Sequence, residues 1–161
     1  MSFVATINPP KPAAEPAVQN DGWMPDMDPT EVRAACLLDG TVTTARLIPA
    51  LQAAMLTVNC ELQAWATEQR TRWGYAALAD VPAPQVGGES AQVLRYRRAV
   101  HACLQADLAE ANRAQDTLPA GMGKEARVLE SLQVQIDEHR RRQRWAISDM
   151  LGIARSTIEL I

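Results

Sequence analysis

The sequence contains few histidines and cysteines, and neither residue type forms the pattern of a metal or redox site. Its two histidines, His101 and His139, lie far apart and do not have the spacing of metal ligands. Its three cysteines, Cys36, Cys60 and Cys103, are odd in number and widely separated, which argues against a disulfide framework and a zinc site. We expect three buried, reduced thiols and neither a metal ion nor a cofactor.

The sequence also lacks a long uncharged apolar run. A membrane span needs about 20 consecutive, predominantly apolar residues, whereas charged residues interrupt every apolar-biased stretch of this chain. The first residues contain no basic segment followed by an apolar core, so we do not expect a secretory signal. We expect a protein that is neither exported nor bound to a membrane.

Neither a strong excess of one charge nor a catalytic motif is present. Nineteen acidic and sixteen basic residues give a formal charge of -3, which argues against a surface built throughout for nucleic acid and leaves room only for local basic patches. No serine or cysteine has a neighbouring base in a recognisable nucleophile motif. The run Gly87-Gly88-Glu89-Ser90 lacks the strand and the lysine of a phosphate-binding loop. We therefore do not expect an enzyme.

What the sequence does contain is a proline-rich beginning. Six of the ten prolines lie within the first 29 residues, which is typical of an extended segment, and we predict an extended arm over residues 1–27. Trp23 and Met24, near its end, can pack either on the core of the same chain or on a neighbouring subunit. The length of 161 residues corresponds to one domain.

The rest of the chain has helical patterns. Asp28-Pro29-Thr30-Glu31 combines a capping side chain, a first-turn proline and a glutamate, which predicts a short helix over 29–38. Apolar residues at three- and four-residue spacing predict a helix of about 28 residues that ends at Gly74, a second that begins after Ser90, and a third from Lys124 to Gly152.

Residues 75–89 contain two prolines and two glycines and are predicted to be a loop without regular structure. The predicted fold class is therefore all-α. It is a small helical bundle over 28–152, with three long helices and one short helix, flanked by the extended N-terminal arm and by an extended C-terminal tail over 153–161.

The densest charge is an arginine cluster next to a tryptophan; it consists of Arg140, Arg141, Arg142, Arg144 and Trp145. Consecutive helical residues point about 100° apart, so these arginines encircle the helix instead of lining one face. Three interpretations are open: a solvated face paired with Asp137 or Glu138, a protein interface formed by residue types common in binding hot spots, or direct contact with DNA. The last would make the chain a DNA-binding helical packaging factor that uses the Arg140–Arg144 cluster.

The segment from Ile147 to Ile158 looks like the middle of a helix-turn-helix motif. A recognition helix needs about three turns, but only seven residues run from Arg155 to Ile161. Residues 157–161 alternate in polarity, which is typical of a strand added to another protein's sheet. The tail can equally fold back on its own bundle.

Several runs of this sequence resemble the head completion protein (GPL type) of contractile-tailed phages. The similarity covers roughly residues 23–161 and is carried by the runs Leu38–Leu47, Gly74–Pro82, Gly88–Ser90, Leu94–Val100 and Arg144–Ile161. The resemblance implies a structural virion protein, made in the host cytoplasm and located in the neck between head and tail. Such proteins bind the portal protein after genome packaging and close the DNA-filled head as a ring, usually a dodecamer.

The resemblance also implies the partners. These are the portal protein, a tail-side connector or tail terminator protein, and further copies of the chain, with DNA passing through the ring lumen without sequence-specific binding. We assign the portal or partner interface to Arg142, Arg144, Trp145, Ile153, Arg155, Ile158, Leu160 and Ile161. We assign contacts to neighbouring subunits or to the tail side to Trp23, Met24, Tyr75, Leu78 and Val81.

Overall fold

The computed structural model of the chain describes residues 15–38, 40–116 and 124–154. In these ranges the elements are α1 (Pro29–Ala35), α2 (Thr44–Trp73), a 3-10 helix (Leu78–Asp80), β1 (Gln85–Val86), β2 (Glu89–Ser90), α3 (Ala91–Asp116) and α4 (Lys124–Leu151). The predicted helical bundle of three long helices and one short helix is confirmed.

Helix α1 begins where the sequence predicts and ends earlier. The Asp28 carboxylate accepts a hydrogen bond from the Thr30 amide at 2.7 Å, and Pro29 occupies the first turn. The helix stops at Ala35 instead of residue 38, because Leu37 adopts a left-handed conformation with φ of 52°. The Leu38 amide then donates to the Arg33 carbonyl at 3.0 Å, which closes the helix end.

Helix α2 is the long amphipathic helix that the apolar spacing predicts. It spans 30 residues, two more than expected, and its buried residues recur every three or four positions: Leu47, Leu51, Ala54, Met55, Val58, Leu62 and Ala66. Gly74 ends the helix in the left-handed conformation, with φ of 72°.

Residues 75–90 are more ordered than the predicted loop. Gln85 and Val86 pair with Ser90 and Glu89 as a short antiparallel hairpin. Its two-residue turn has positive φ at both Gly87 and Gly88, which only glycine adopts readily. The preceding 3-10 helix buries Leu78 against the bundle, so this segment covers the core.

Helix α3 lies between α2 and α4. Tyr96, Val100, Cys103 and Leu104 on α3 are fully buried. Contacts from Gln92 to Met150 and from Asp107 to Arg140 show that α3 and α4 run antiparallel. Of the three cysteines, Cys36 and Cys103 are buried thiols as expected, but Cys60 is exposed, because it lies outside the buried stripe of α2.

Residues 15–27, the last part of the predicted extended arm over residues 1–27, pack on the bundle. Val18 and Met27 exchange backbone hydrogen bonds of 2.8 and 3.0 Å, and both side chains are buried together with Trp23 and Met24. The apolar area that these side chains bury stabilises the segment against the core. We call residues 15–27 the strap.

Candidate functional site

The arginine cluster on α4 divides between contacts inside the chain and exposed positions. Arg140 donates to Asp107 at 2.8 Å and to Glu110 at 3.2 Å, both on α3. Arg141 pairs with Glu138, and its guanidinium carbon lies 4.9 Å from the centre of the Trp145 ring. These contacts tie α4 to α3 and fix one face of Trp145, so Arg140 and Arg141 have a structural role in the isolated chain.

Arg142 and Arg144 make no ion pair with α3 among the described residues. Arg142 is exposed and donates to Glu138 at 2.9 Å. Arg144 is exposed and makes no ion pair or hydrogen bond within the ranges that the structure describes. The four arginines therefore point in different directions, as the rotation of about 100° per residue predicts.

A basic cleft lies between α3 and α4 and has a volume of about 530 Å³. It is lined by Leu94, Arg97, Arg98, His101, Ala102, Gln105 and Arg142. Arg97 donates to Glu89 at 2.8 Å, whereas Arg98 is exposed and has no charged or hydrogen-bonded partner among the described residues. Burial lowers the pKa of His101, and the nearby Arg97 lowers it further, so the imidazole is neutral at pH 7 and the arginines carry the positive charge.

The end of α1 lies against this cleft. The Gln105 amide donates to the Cys36 carbonyl at 3.4 Å, and Gln105 lines the cleft. The next residue, Leu37, is 90% exposed. The apolar Leu37 side chain is therefore exposed one residue beyond the contact between Cys36 and Gln105.

The predicted partner interface lies only partly inside the described ranges. Arg142 and Arg144 are exposed, Trp145 is half-buried, and Ile153, just beyond the end of α4, is 58% exposed. From Arg142 to the end of α4 the helix rises on the order of 14 Å. Arg155, Ile158, Leu160 and Ile161 lie outside the described residues.

The residues assigned to contacts with neighbouring subunits or the tail side lie in or beside the chain's own core. Trp23, Met24, Leu78 and Val81 are buried in the chain's own core, and Tyr75 is half-buried beside them. The Trp23 indole donates to the Tyr75 carbonyl at 3.0 Å. Because these side chains already contact their own chain, little of their surface is left for a neighbour.

The prediction missed several exposed apolar side chains as well as Arg97 and Arg98. The apolar residues are Leu37, Leu56, Trp73, Val86 and Val134. Leu56 falls between the buried positions of α2, and that departure from the apolar spacing is a signal visible in the sequence. The exposure of Leu37 depends on its left-handed backbone, for which a leucine gives no local signal.

The described ranges contain no group of three or more His, Cys, Asp or Glu side chains that could hold a metal ion. None of the helices in these ranges is long and apolar enough to cross a bilayer.

Comparison with known proteins identifies the family. The sequence pattern of the phage head completion protein (GPL) family matches residues 18–161. The chain is 38% identical over 162 residues to the "Head completion/stabilization protein" of Escherichia phage P2, with 100% of this chain and 93% of the relative covered. No solved structure matches the chain. With a family match over most of its length and a close relative over all of it, this chain belongs to the phage head completion protein (GPL) family, whose role is a structural one in the virion.

Proposed function

We propose that this chain binds the portal protein as a ring, completes the DNA-filled head and forms the head-tail junction. The observation that carries the proposal is the full-length similarity to a head completion/stabilization protein. The partners would be the portal protein on one side and a tail-side connector or tail terminator protein on the other, with assembly in the host cytoplasm and a final location in the virion neck.

The bundle supplies a rigid wedge for such a ring. The cross-helix bonds of Arg140 and the shared core of α2, α3 and α4 hold the three long helices in one arrangement. Copies that repeat one heterologous contact form a closed ring when the rotation between neighbours is 360° divided by a whole number. A weak contact to the portal, repeated around that ring, becomes long-lived through effective concentration.

Residues 153–161 remain our candidate for the segment that docks on the portal. Gly152 ends α4 in the left-handed conformation, with φ of 70°, and the Ile153 amide caps the helix by donating to the Ser148 carbonyl at 2.9 Å. Ile153 therefore starts the tail from a fixed point. Arg142 and Arg144, exposed on the preceding turns of α4, would anchor the base of the tail.

The alternative of a DNA-binding packaging factor has less support. Three of the four clustered arginines pair with acidic residues of the same chain. A phosphate backbone would have to compete with those carboxylates for the same N–H donors.

Truncation after Ala154 tests the docking tail and keeps the Ile153 cap on α4. In an infection that supplies only the truncated chain, we expect DNA-filled heads that lose their DNA to nuclease and fail to join tails. A thermal unfolding curve matching that of the full chain would show that the bundle is intact. Normal yields of nuclease-resistant, tailed particles would contradict the tail-docking proposal.

Electron microscopy of the virion neck tests the ring itself. We expect this chain to form a closed ring between portal and tail. A purified, complete virion without any copy of the chain would contradict the proposed function.

A further inference from the structure

Residues 15–36, which comprise the strap, α1 and its C-cap, form a unit with hydrogen bonds of its own. Glu15 at its start accepts two bonds of 3.0 Å from Arg33 on α1. Val18 and Met27 pair through their backbones. These bonds lie within the unit and do not involve α2 or α3. We call residues 15–36 the N-terminal segment.

The N-terminal segment meets the bundle through specific side-chain contacts. Trp23 packs edge to face on Trp65 of α2, with the ring centres 6.0 Å apart. The guanidinium carbon of Arg70 lies 4.9 Å from the centre of the Trp23 ring, and Arg70 also pairs with Asp21 at 2.5 Å. None of these contacts involves the connection to α2 over residues 37–43, so the N-terminal segment of another copy can make all of them.

That connection begins with a strained residue. Leu37 has a φ of 52°, which is unfavourable for a residue with a Cβ, and its side chain is 90% exposed, so little packing compensates the strain. The bond of 2.6 Å from Arg33 to the Val42 carbonyl holds the connection closed. Short strained connections favour the exchange of segments between copies. Residues 37–43 span roughly 25 Å when extended, which is enough to reach an adjacent copy.

We propose that, in the assembled ring, the N-terminal segment of each copy packs on α2 and α3 of the next copy, with Leu37 as the hinge that opens. Trp23 and Met24 then contact the neighbouring subunit with the same atoms that fill the core of the free chain. Each copy gives one segment and receives one, so a closed ring leaves no copy without its segment. The inference rests on the proposed function and adds to it the chemistry of the contact between copies.

A pair of thiols distinguishes the exchanged arrangement from the unexchanged one. Asp21 and the exposed Cys60 of α2 line the same groove. In the Asp21→Cys chain, a short bismaleimide joins the introduced thiol to Cys60 within one chain if the segment is unexchanged, and between two chains if it is exchanged. We expect a ladder of linked chains from tailed particles of an infection that supplies only this variant. The purified free protein should give a chain-sized product.

Matched variants control for other links and for misfolding. Adding Cys60→Ser to the Asp21→Cys chain should remove the ladder. Glu31→Cys removes the same charge from an exposed residue of α1 outside the groove and should give no link to Cys60. A second pair avoids the loss of the Asp21 ion pair: Glu15→Cys with Thr44→Cys, in a Cys60→Ser chain, replaces two side chains that are hydrogen-bonded across the same contact and should also give a ladder.

Two substitutions in the Asp21→Cys chain test the hinge. Leu37→Gly removes the strain of the unexchanged form and should lower the ratio of interchain to intrachain product about fivefold. Leu37→Ala keeps the strain, removes most of the exposed side chain and should leave the ratio unchanged. A Leu37→Gly chain with an unchanged ratio would overturn the role of Leu37 as the hinge.

The outcomes separate the two proposals. Particles that contain the chain but give only the chain-sized product with both thiol pairs would overturn the exchange and leave the proposed ring. A ladder that persists after Cys60→Ser in the Asp21→Cys chain would assign the links to other contacts and also overturn the exchange. Complete, tailed particles without any copy of the chain would overturn the proposed function and, with it, this inference.

Discussion

The Tyr96 hydroxyl on α3 donates a 2.7 Å hydrogen bond to the Asn59 side-chain oxygen on α2. Asn20 of the strap completes a ring of three side chains: its amide donates to the Tyr96 oxygen at 2.8 Å and its oxygen accepts from the Asn59 amide at 2.8 Å. Tyr96 is completely buried. One phenol therefore joins α2, α3 and the strap.

Tyr96→Phe should lower the free energy of unfolding by about 1 kcal/mol, because the half-buried Asn20 and Asn59 side chains each lose a hydrogen-bond partner. Urea denaturation measures the change. Tyr75→Phe is the matched control, since Tyr75 is only half-buried and its hydroxyl is outside this network. We expect the control to change stability by less than about 0.5 kcal/mol. Equal losses in the two variants would contradict a stabilising role of the three hydrogen-bonded side chains.

Leu37→Gly should raise the free energy of unfolding by about 1 kcal/mol, because glycine adopts the left-handed conformation without a steric penalty. Gly74→Ala is the opposite case, because φ is 72° at this position and a Cβ would meet no atom within 4 Å. We expect this variant to lose about 1 kcal/mol of unfolding free energy, all of it from backbone strain. Thermal denaturation of both variants measures these two changes in stability. A Leu37→Gly protein less stable than the wild type would show that Leu37 makes a stabilising contact in the isolated chain.

Arg140→Ala should destabilise the chain by about 1 kcal/mol, because it leaves Asp107 and Glu110 on α3 without their cation. Arg144→Ala removes the same charge from the next turn of α4, where no described residue pairs with it, and should change stability by less than about 0.5 kcal/mol. Urea denaturation at low and at physiological salt compares the two. The effect of Arg140→Ala should shrink as salt rises, and equal effects of the two substitutions would contradict the assigned division of the cluster.

The buried thiols should make the folded chain less stable at high pH. Burial raises the pKa of Cys36 from 9.0 to about 11, and burial together with the charge of Asp107 does the same for Cys103. A group whose pKa is raised on folding contributes stability below its unfolded pKa and loses that contribution as the pH rises through its folded value. Denaturation midpoints measured from pH 9 to 11 should therefore fall.

A thiol reagent at pH 8 gives an independent check on the burial of these two cysteines. Exposed Cys60 should react in the native chain, and Cys36 and Cys103 should react only after denaturation. Fast reaction of all three thiols in the folded protein would contradict the burial of the other two.

The helices were predictable because their signals are local. The apolar spacing from Leu47 to Leu62 and the cap at Asp28 depend on neighbours within a turn or two. The packing of the strap was not, since it depends on contacts such as Asn20 with Tyr96, 76 residues apart in sequence. The hairpin at Gly87 and Gly88 was partly predictable. The glycine pair is a known turn signal, but strands of two residues are too short to show an alternation of polar and apolar residues.

The candidate site was less predictable than the fold. The rotation per residue predicted that the arginines point in several directions, but not which of them meet acidic residues on α3. The cleft is formed by Arg98 and Arg142, which are 44 positions apart, and no local pattern brings them together. The exposure of Leu37 becomes evident only once the backbone conformation around it is known.

The contacts of Glu15 tie the start of the strap to the bundle. Its carboxylate accepts two hydrogen bonds of 3.0 Å from Arg33 on α1 and another from Thr44 at the start of α2. The strap is therefore held both at Glu15 and at Asn20, whose amide donates to Tyr96. A partner that displaces the strap has to break both sets of contacts.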